Sequence, residues 1–154
     1  MNRAMRTVAL ALLLVLAGCG LFQSHEDDVR EAIVETALDQ IGEDYEYGGA
    51  DPDDGFDCSG LVYYSYGEAG IKLPRASREQ RKAGRAVPLA QAKPGDLLFY
   101  DFGAQKRSAL HVAIYLGEGE AVHAPASDGE VEVIRIGERV WRERFVSAVR
   151  VLKD

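Results

Sequence analysis

The chain reads as an α+β domain in which helices come first and a meander of antiparallel strands follows. Three observations predict this. Apolar residues recur at helical spacing in the first half, and short β-rich runs split by turn residues follow Pro94-Gly95. The composition, 154 residues with 47% apolar, 28% charged and a formal charge of −7, suits one domain with an ordinary core. Neither a repeat nor a low-complexity tract competes with that reading.

Residues 1–18 stand apart. Arg3 and Arg6 precede an apolar run from Val8 to Ala17, which is too short for a bilayer span of about 20 residues and has the length of a secretory leader. The run closes on Leu16-Ala17-Gly18-Cys19, which resembles the bacterial lipobox. That resemblance implies cleavage before Cys19, acylation of that cysteine and a lipid anchor in the cell envelope. Gly20 in place of an aspartate favours the periplasmic face of the outer membrane. The plainer alternative is a signal peptide followed by an incidental cysteine. Residues 19–25 then form the acylated cysteine and a short tether, and residues 26–154 the folded domain. With Cys19 consumed by lipid, Cys58 is left as the second of two cysteines and no disulfide is expected. A chain that keeps a single thiol in an oxidising compartment has a use for it.

Within the domain, Ser24 is a candidate cap with Asp27 three residues on. Val29, Ile33, Ala37 and Ile41 recur every four residues with Ala32 and Leu38 alongside, predicting an amphipathic helix that ends at Gly42. Tyr45, Tyr47 and the pair Gly48-Gly49 follow, the glycines predicting positive φ or a close backbone approach. The acidic turn Asp51-Pro52-Asp53-Asp54-Gly55 is no EF-hand, because the twelfth position from Asp51 is Val62 and not a glutamate. Asp57 and Ser59 are cap-competent, and the apolar and aromatic run from Leu61 to Tyr66 stops at Gly67-Glu68-Ala69-Gly70, predicting a second helix. Leu73-Pro74-Arg75 opens a polar segment, and Ala76 to Ala83 predicts a short third one.

Strands are predicted over Asp96–Tyr100, His111–Leu116, Gly119–Ala124, Val131–Ile134 and Phe145–Val151, with a helical turn at Val140-Trp141-Arg142. Phe99, Tyr100, Tyr63, Tyr64 and Trp141 read mostly as packing groups, with a sugar or peptide groove as the alternative.

Cys58 falls in the first turn of the second helix. Unpaired N–H groups and the positive end of the helix dipole favour an anion there, so a thiol so placed ionises more readily and can act as a nucleophile. Of the three histidines, His25 belongs to a solvated helix start, which leaves His111 and His123 as acid–base groups. They lie twelve residues apart on strands joined through Gly117-Glu118-Gly119, a spacing that lets two imidazoles meet across an antiparallel pair. Should they also meet Cys58, the thiol, a base and an orienting group are all present. The residues alone leave two other readings open: Cys58, His111 and His123 as zinc ligands, or a binding module that keeps the fold without chemistry.

The ordered set Tyr45-Glu46-Tyr47-Gly48-Gly49, Asp57-Cys58-Ser59-Gly60-Leu61-Val62, Leu73-Pro74-Arg75, Pro94-Gly95-Asp96-Leu97, His111-Val112-Ala113-Ile114-Tyr115-Leu116-Gly117 and Val122-His123-Ala124 resembles the NlpC-type cell-wall peptidases, papain-like cysteine endopeptidases of bacterial envelopes. The resemblance spans about Ala32 to Leu152. It implies a papain-like fold with about five or six antiparallel strands, Cys58 as nucleophile, His111 as general base and acid, His123 as orienter, and Tyr45 lining the site as an oxyanion donor. Asp57, Ser59, Tyr47 and Arg75 are the substrate-binding residues it brings forward, with no metal and no cofactor. Two departures stand out: Asp44 precedes Tyr45 where members often carry proline, and the loop from Gly49 to Cys58 is acidic. The implied substrate is a D-amino-acid-containing amide in peptidoglycan stem peptides or cross-links, cut through a thioester or passed to another acceptor. The membrane would be met through the lipid, and a regulatory or adaptor partner is left unidentified. Nucleic acid is excluded as a partner, since the chain is acidic and has no basic stripe.

Overall fold

The computed structural model describes residues 25–103, 110–125 and 129–153. Residues 25–38 form helix α1. Ile33 and Ala37 are fully buried and Val29 packs beside them, as the four-residue spacing predicts. Ser24, the expected cap, lies outside the described residues, as do the leader and Cys19. The helix stops earlier than predicted. Residues 39–42 are turns in which the Gly42 N–H donates to the Val131 carbonyl instead of continuing the helix, and Ile41, carried past the apolar stripe, is 50% exposed.

A two-residue antiparallel pair, β1 (Ala50–Asp51) with β2 (Gly55–Phe56), brackets the acidic turn. Helix α2 (Cys58–Glu68) follows at once, with Asp57 as its cap. Helix α3 (Ser77–Gln80) is shorter than its polar segment predicted. The remaining strands, β3 (Arg85–Val87), β4 (Leu97–Asp101), β5 (Leu110–Gly117), β6 (Glu120–His123), β7 (Glu132–Arg135) and β8 (Phe145–Arg150), make one antiparallel sheet in the order β3-β8-β4-β5-β6-β7. A helical turn, α4 (Arg139–Arg142), precedes β8. The α+β class and the five predicted strands are present, and β3 is the sixth.

Both faces of the sheet are covered. Leu97, Phe99, Val112, Ile114 and Val122 pack with Phe56, Leu61, Val62 and Tyr66 on the α2 side. The alternating partners Leu98, Tyr100, Ala113, Ala121 and Ala148 form a second cluster with Trp141, Phe102 and Phe145. Phe99 and Tyr100 are therefore packing groups.

A buried polar clamp holds the layers in register. Asp96, just before β4, accepts from Arg30 of α1 at 3.1 Å and from Arg150 at the end of β8 at 2.8 Å. Arg30 also donates to the Pro94 carbonyl at 2.9 Å, and Arg150 to the Gln91 carbonyl at 2.8 Å. All three charged side chains are buried, so each depends on the others for the solvation that water would have supplied. The Tyr66 hydroxyl of α2 donates to the Gly95 carbonyl in the same turn, which ties the central helix to this clamp.

Candidate active site

The site is assembled from the start of α2, the loop before it, α3 and one end of the β5–β6 hairpin. Asp57 organises the first three. Its Oδ1 accepts from the Gly60 N–H at 2.7 Å, capping α2, and from Arg75 Nη1 at 2.8 Å. Its Oδ2 accepts from Arg75 Nη2 at 2.8 Å and from the Gly48 N–H at 3.0 Å. Arg75 reaches further, to the Gly49 carbonyl at 2.8 Å and to Ser59 Oγ at 2.9 Å. One carboxylate and one guanidinium thus fix the glycine loop against the helix start that carries Cys58.

Gly48 has φ 84°, which an L side chain rarely adopts, and Gly49 and Gly60 stand at close approaches. A Cβ on Gly60 would lie 1.9 Å from the Gly49 carbonyl oxygen, and one on Gly49 would lie 2.2 Å from the Gly55 carbonyl oxygen. We expect Gly60→Ala to push the loop off α2, with a loss of roughly 2–4 kcal/mol of stability, the scale of overpacking and strain combined. Urea unfolding checks it; a variant with an unchanged midpoint contradicts it.

Burial pushes the Asp57 carboxyl up, but hydrogen bonds from Arg75 and Gly60, together with the Arg75 charge, outweigh this and hold it below the usual aspartate range. The sign follows from linkage. The stabilisation is complete above the unfolded value, about 3.9, and is lost as pH falls through the lower folded value. Arg75 keeps about a third of its side chain in water, so the contribution stays below about 1 kcal/mol. Arg75→Met should flatten this acid-side loss, read as the difference in urea midpoint between neutral pH and the carboxylate range; an unchanged slope contradicts it.

Tyr45, Tyr47, Asp57, Cys58, Ser59 and Arg75 share the lining of one cavity of about 380 Å³, together with Ser77 and Ala124. Cys58 is the first residue of α2 and is 6% exposed. His111 and His123 are not in that lining. They are buried at 3% each, at the same end of β5 and β6, and are attached to the cavity wall through Ala124. Ser77, also in the lining, donates its hydroxyl to the carbonyl of Leu110, the residue before His111, at 2.8 Å.

The two imidazoles bond each other, His111 Nε2 to His123 Nδ1 at 2.8 Å. The twelve-residue spacing and the Gly117-Glu118-Gly119 turn, all three residues at positive φ, bring them together as predicted. Trp141 packs on both rings, 4.9 Å from His123 and 5.9 Å from His111 between centroids, and Phe102 meets His111 edge to face at 5.7 Å. Burial pushes His123 below the usual histidine range, and the charge and hydrogen bond of Glu132 only partly offset this. A nitrogen of each ring is committed to the other, which is a poor starting point for both as zinc ligands; among the described residues no cluster of three or more His, Cys, Asp and Glu side chains fits a metal ion.

Several contributors were missed from sequence. Trp141 was read as packing with no link to the histidines. Gln80, fully buried in α3, donates to the Ser59 and Pro74 carbonyls at 2.9 Å and braces the residue after the thiol. Glu132 was placed in a strand without a role. Only cross-strand register, absent from local pattern, would have found it.

A mixed α and β domain with a cysteine opening its central helix, beside an antiparallel sheet that carries a histidine pair, has the architecture of the papain-like class. The NlpC/P60 family model matches residues 42–150, and the chain belongs to that family. It is similar to the probable endopeptidase YafL of Escherichia coli, 34% identical over 137 residues, covering 87% of this chain and 55% of that protein. The murein DD-endopeptidase MepH of the same organism is 36% identical over 139 residues, covering 86% and 51%. Among solved structures, the peptidoglycan hydrolase RipB of Mycobacterium tuberculosis superposes with a TM-score of 0.72 at 33% identity, covering 85% of this chain and 68% of that one. The chain spans about half the length of the two curated relatives named here.

Proposed function

We propose that the protein is a cysteine endopeptidase that hydrolyses a D-amino-acid-containing amide in the stem peptides or cross-links of peptidoglycan. The observation that carries this reading is the placement of Cys58 at the first turn of α2, in a cavity whose wall joins directly to a buried, hydrogen-bonded histidine pair. The names of the relatives as endopeptidases and peptidoglycan hydrolases support the substrate class.

In this mechanism the Cys58 thiol gives its proton to His111 and the thiolate attacks the amide carbonyl. The first-turn N–H of Cys58 and the Tyr45 hydroxyl are assigned to the oxyanion, where each donor acts on charge that develops only in the transition state. His111 then protonates the leaving amine, which departs and leaves a thioester on Cys58. Water, deprotonated by His111, releases the acid and restores the thiol. His123 orients His111, and Trp141 and Phe102 keep water from the bond between the two rings. Tyr47, Ser59, Asp57 and Arg75 line the entrance met by the substrate. The first of these is 61% exposed, whereas Asp57, Ser59 and Arg75 hydrogen-bond one another and present a fixed surface.

We infer further that Cys19 carries the lipid and holds the enzyme at the periplasmic face of the outer membrane, on the strength of the basic and apolar leader ending in Leu16-Ala17-Gly18-Cys19. Purified muropeptides incubated with the protein and read by mass spectrometry test the activity. Fragments split at a single amide are the expected product. Muropeptides recovered intact, under conditions where a known wall endopeptidase cuts them, contradict the reading.

A further inference from the structure

Across the ladder from His123, on the side away from His111, lies Glu132. The β6–β7 register pairs these residues directly, and Glu132 Oε1 stands 3.4 Å from His123 Nε2. A carboxylate can only accept, so the hydrogen bond requires the proton of neutral His123 to sit on Nε2. Its Nδ1 is then a lone pair, and that atom faces His111 Nε2 at 2.8 Å. The bond between the rings in turn requires the proton of neutral His111 on Nε2, so the basic lone pair falls on His111 Nδ1. The chain of three groups runs in one direction, each setting the tautomer of the next.

We propose that Glu132 is a positioning residue of this site, whose carboxylate selects the tautomers of both histidines and so fixes which nitrogen of His111 takes the thiol proton. This deepens the peptidase reading and rests on it for its catalytic consequence, though not for the tautomers themselves. The groups facing His123 are His111 from β5, Glu132 from β7 and the uncharged indole of Trp141 from α4. Without the carboxylate, the buried pair loses the acceptor of fixed polarity at His123 Nε2. His111 Nε2 and His123 Nδ1 would then exchange donor and acceptor roles, and a share of the molecules would hold His111 with its proton on the wrong nitrogen. Glu132 is itself mostly exposed, and its contact is long, so its effect is a bias on a population and not a support of the fold.

The test uses Glu132→Gln, similar in shape but able to donate or accept. Long-range proton–nitrogen NMR of the 15N-labelled protein, at a pH where the imidazoles are neutral, reads each tautomer directly. Wild type should show both His111 and His123 protonated on Nε2, and the variant a mixture at both. On a muropeptide substrate kcat should fall about tenfold with KM within twofold, a fraction of the 10²–10⁴ supplied by general acid–base catalysis. Glu132→Asp should recover part of the loss, and Glu132→Gln added to His123→Ala should cost nothing more. Tautomers unchanged in Glu132→Gln, or the same loss in the His123→Ala background, overturns the proposal. If the tautomers shift as expected while wild type leaves muropeptides uncut, Glu132 keeps its role and the peptidase reading alone fails.

Discussion

Replacing Cys58 with alanine will lower muropeptide hydrolysis by about 10⁴-fold or more, the scale seen when a covalent nucleophile is removed from an otherwise complete site. The expected loss is large because the proposed mechanism makes the sulfur the atom that bonds to the substrate carbonyl. In that mechanism His111 moves protons and the remaining groups act on charge or orientation, so none of them replaces the sulfur. Folding should barely change. Cys58 contributes one small apolar side chain to a core that also holds Phe56, Leu61, Val62 and Tyr66, so the expected cost is about 1 kcal/mol. Circular dichroism and a urea midpoint close to wild type would show that the loss is chemical. A binding module using the same fold would keep its ligand affinity and show no such collapse, because it had no turnover to lose.

Removing the carboxylate of Asp96 should be the most destabilising single change in the domain, about 3–5 kcal/mol for Asp96→Ala, the cost of leaving buried charge uncompensated. Arg150 would lose its carboxylate while keeping the Gln91 carbonyl at 2.8 Å, and Arg30 would keep Glu26 and the Pro94 carbonyl. Asp96 is 1% exposed, so water cannot replace it without opening the joint between α1, β4 and β8. For a domain of this size the melting temperature should drop by about 10 °C, and Asp96→Asn should fall between, since the amide fills the space but carries no charge. Hydrolysis at low temperature should persist in the fraction that stays folded, because the clamp touches neither Cys58 nor the histidines. Calorimetry decides it: a transition within 2–3 °C of wild type would mean that the arginines find other partners and that the clamp is dispensable.

What could be read in advance followed from how local each feature is. The cap at Asp57, the apolar run of α2 and the short β-rich runs of β4, β5 and β6 are encoded within a few residues, and all appear where expected. The histidine contact was also within reach, since a short turn with three positive-φ residues leaves antiparallel strands few registers. Strand β3 was not legible. It has three residues, two of them exposed, and exists because β8 offers an edge whose nearest paired residue, Ala148, lies 61 positions beyond Val87. The Asp96 clamp joins residues 66 and 54 positions apart, and nothing in the neighbourhood of Asp96 points to either arginine. Ile41 shows the opposite failure: the spacing was right, but the helix had already ended, and periodicity cannot sense a competing carbonyl such as that of Val131. Glu132 and Trp141 escaped for the same reason as the clamp, being meaningful only against partners that the fold supplies.

The most direct test of the account is stoichiometric alkylation with iodoacetamide in the presence of a metal chelator, the label mapped to Cys58 by mass spectrometry and activity on muropeptides followed in parallel. Chelator alone should change nothing, and activity should fall in step with labelling of Cys58, reaching zero at one label. Full labelling of that thiol with turnover intact, or loss of turnover to chelator before any label is added, would contradict it.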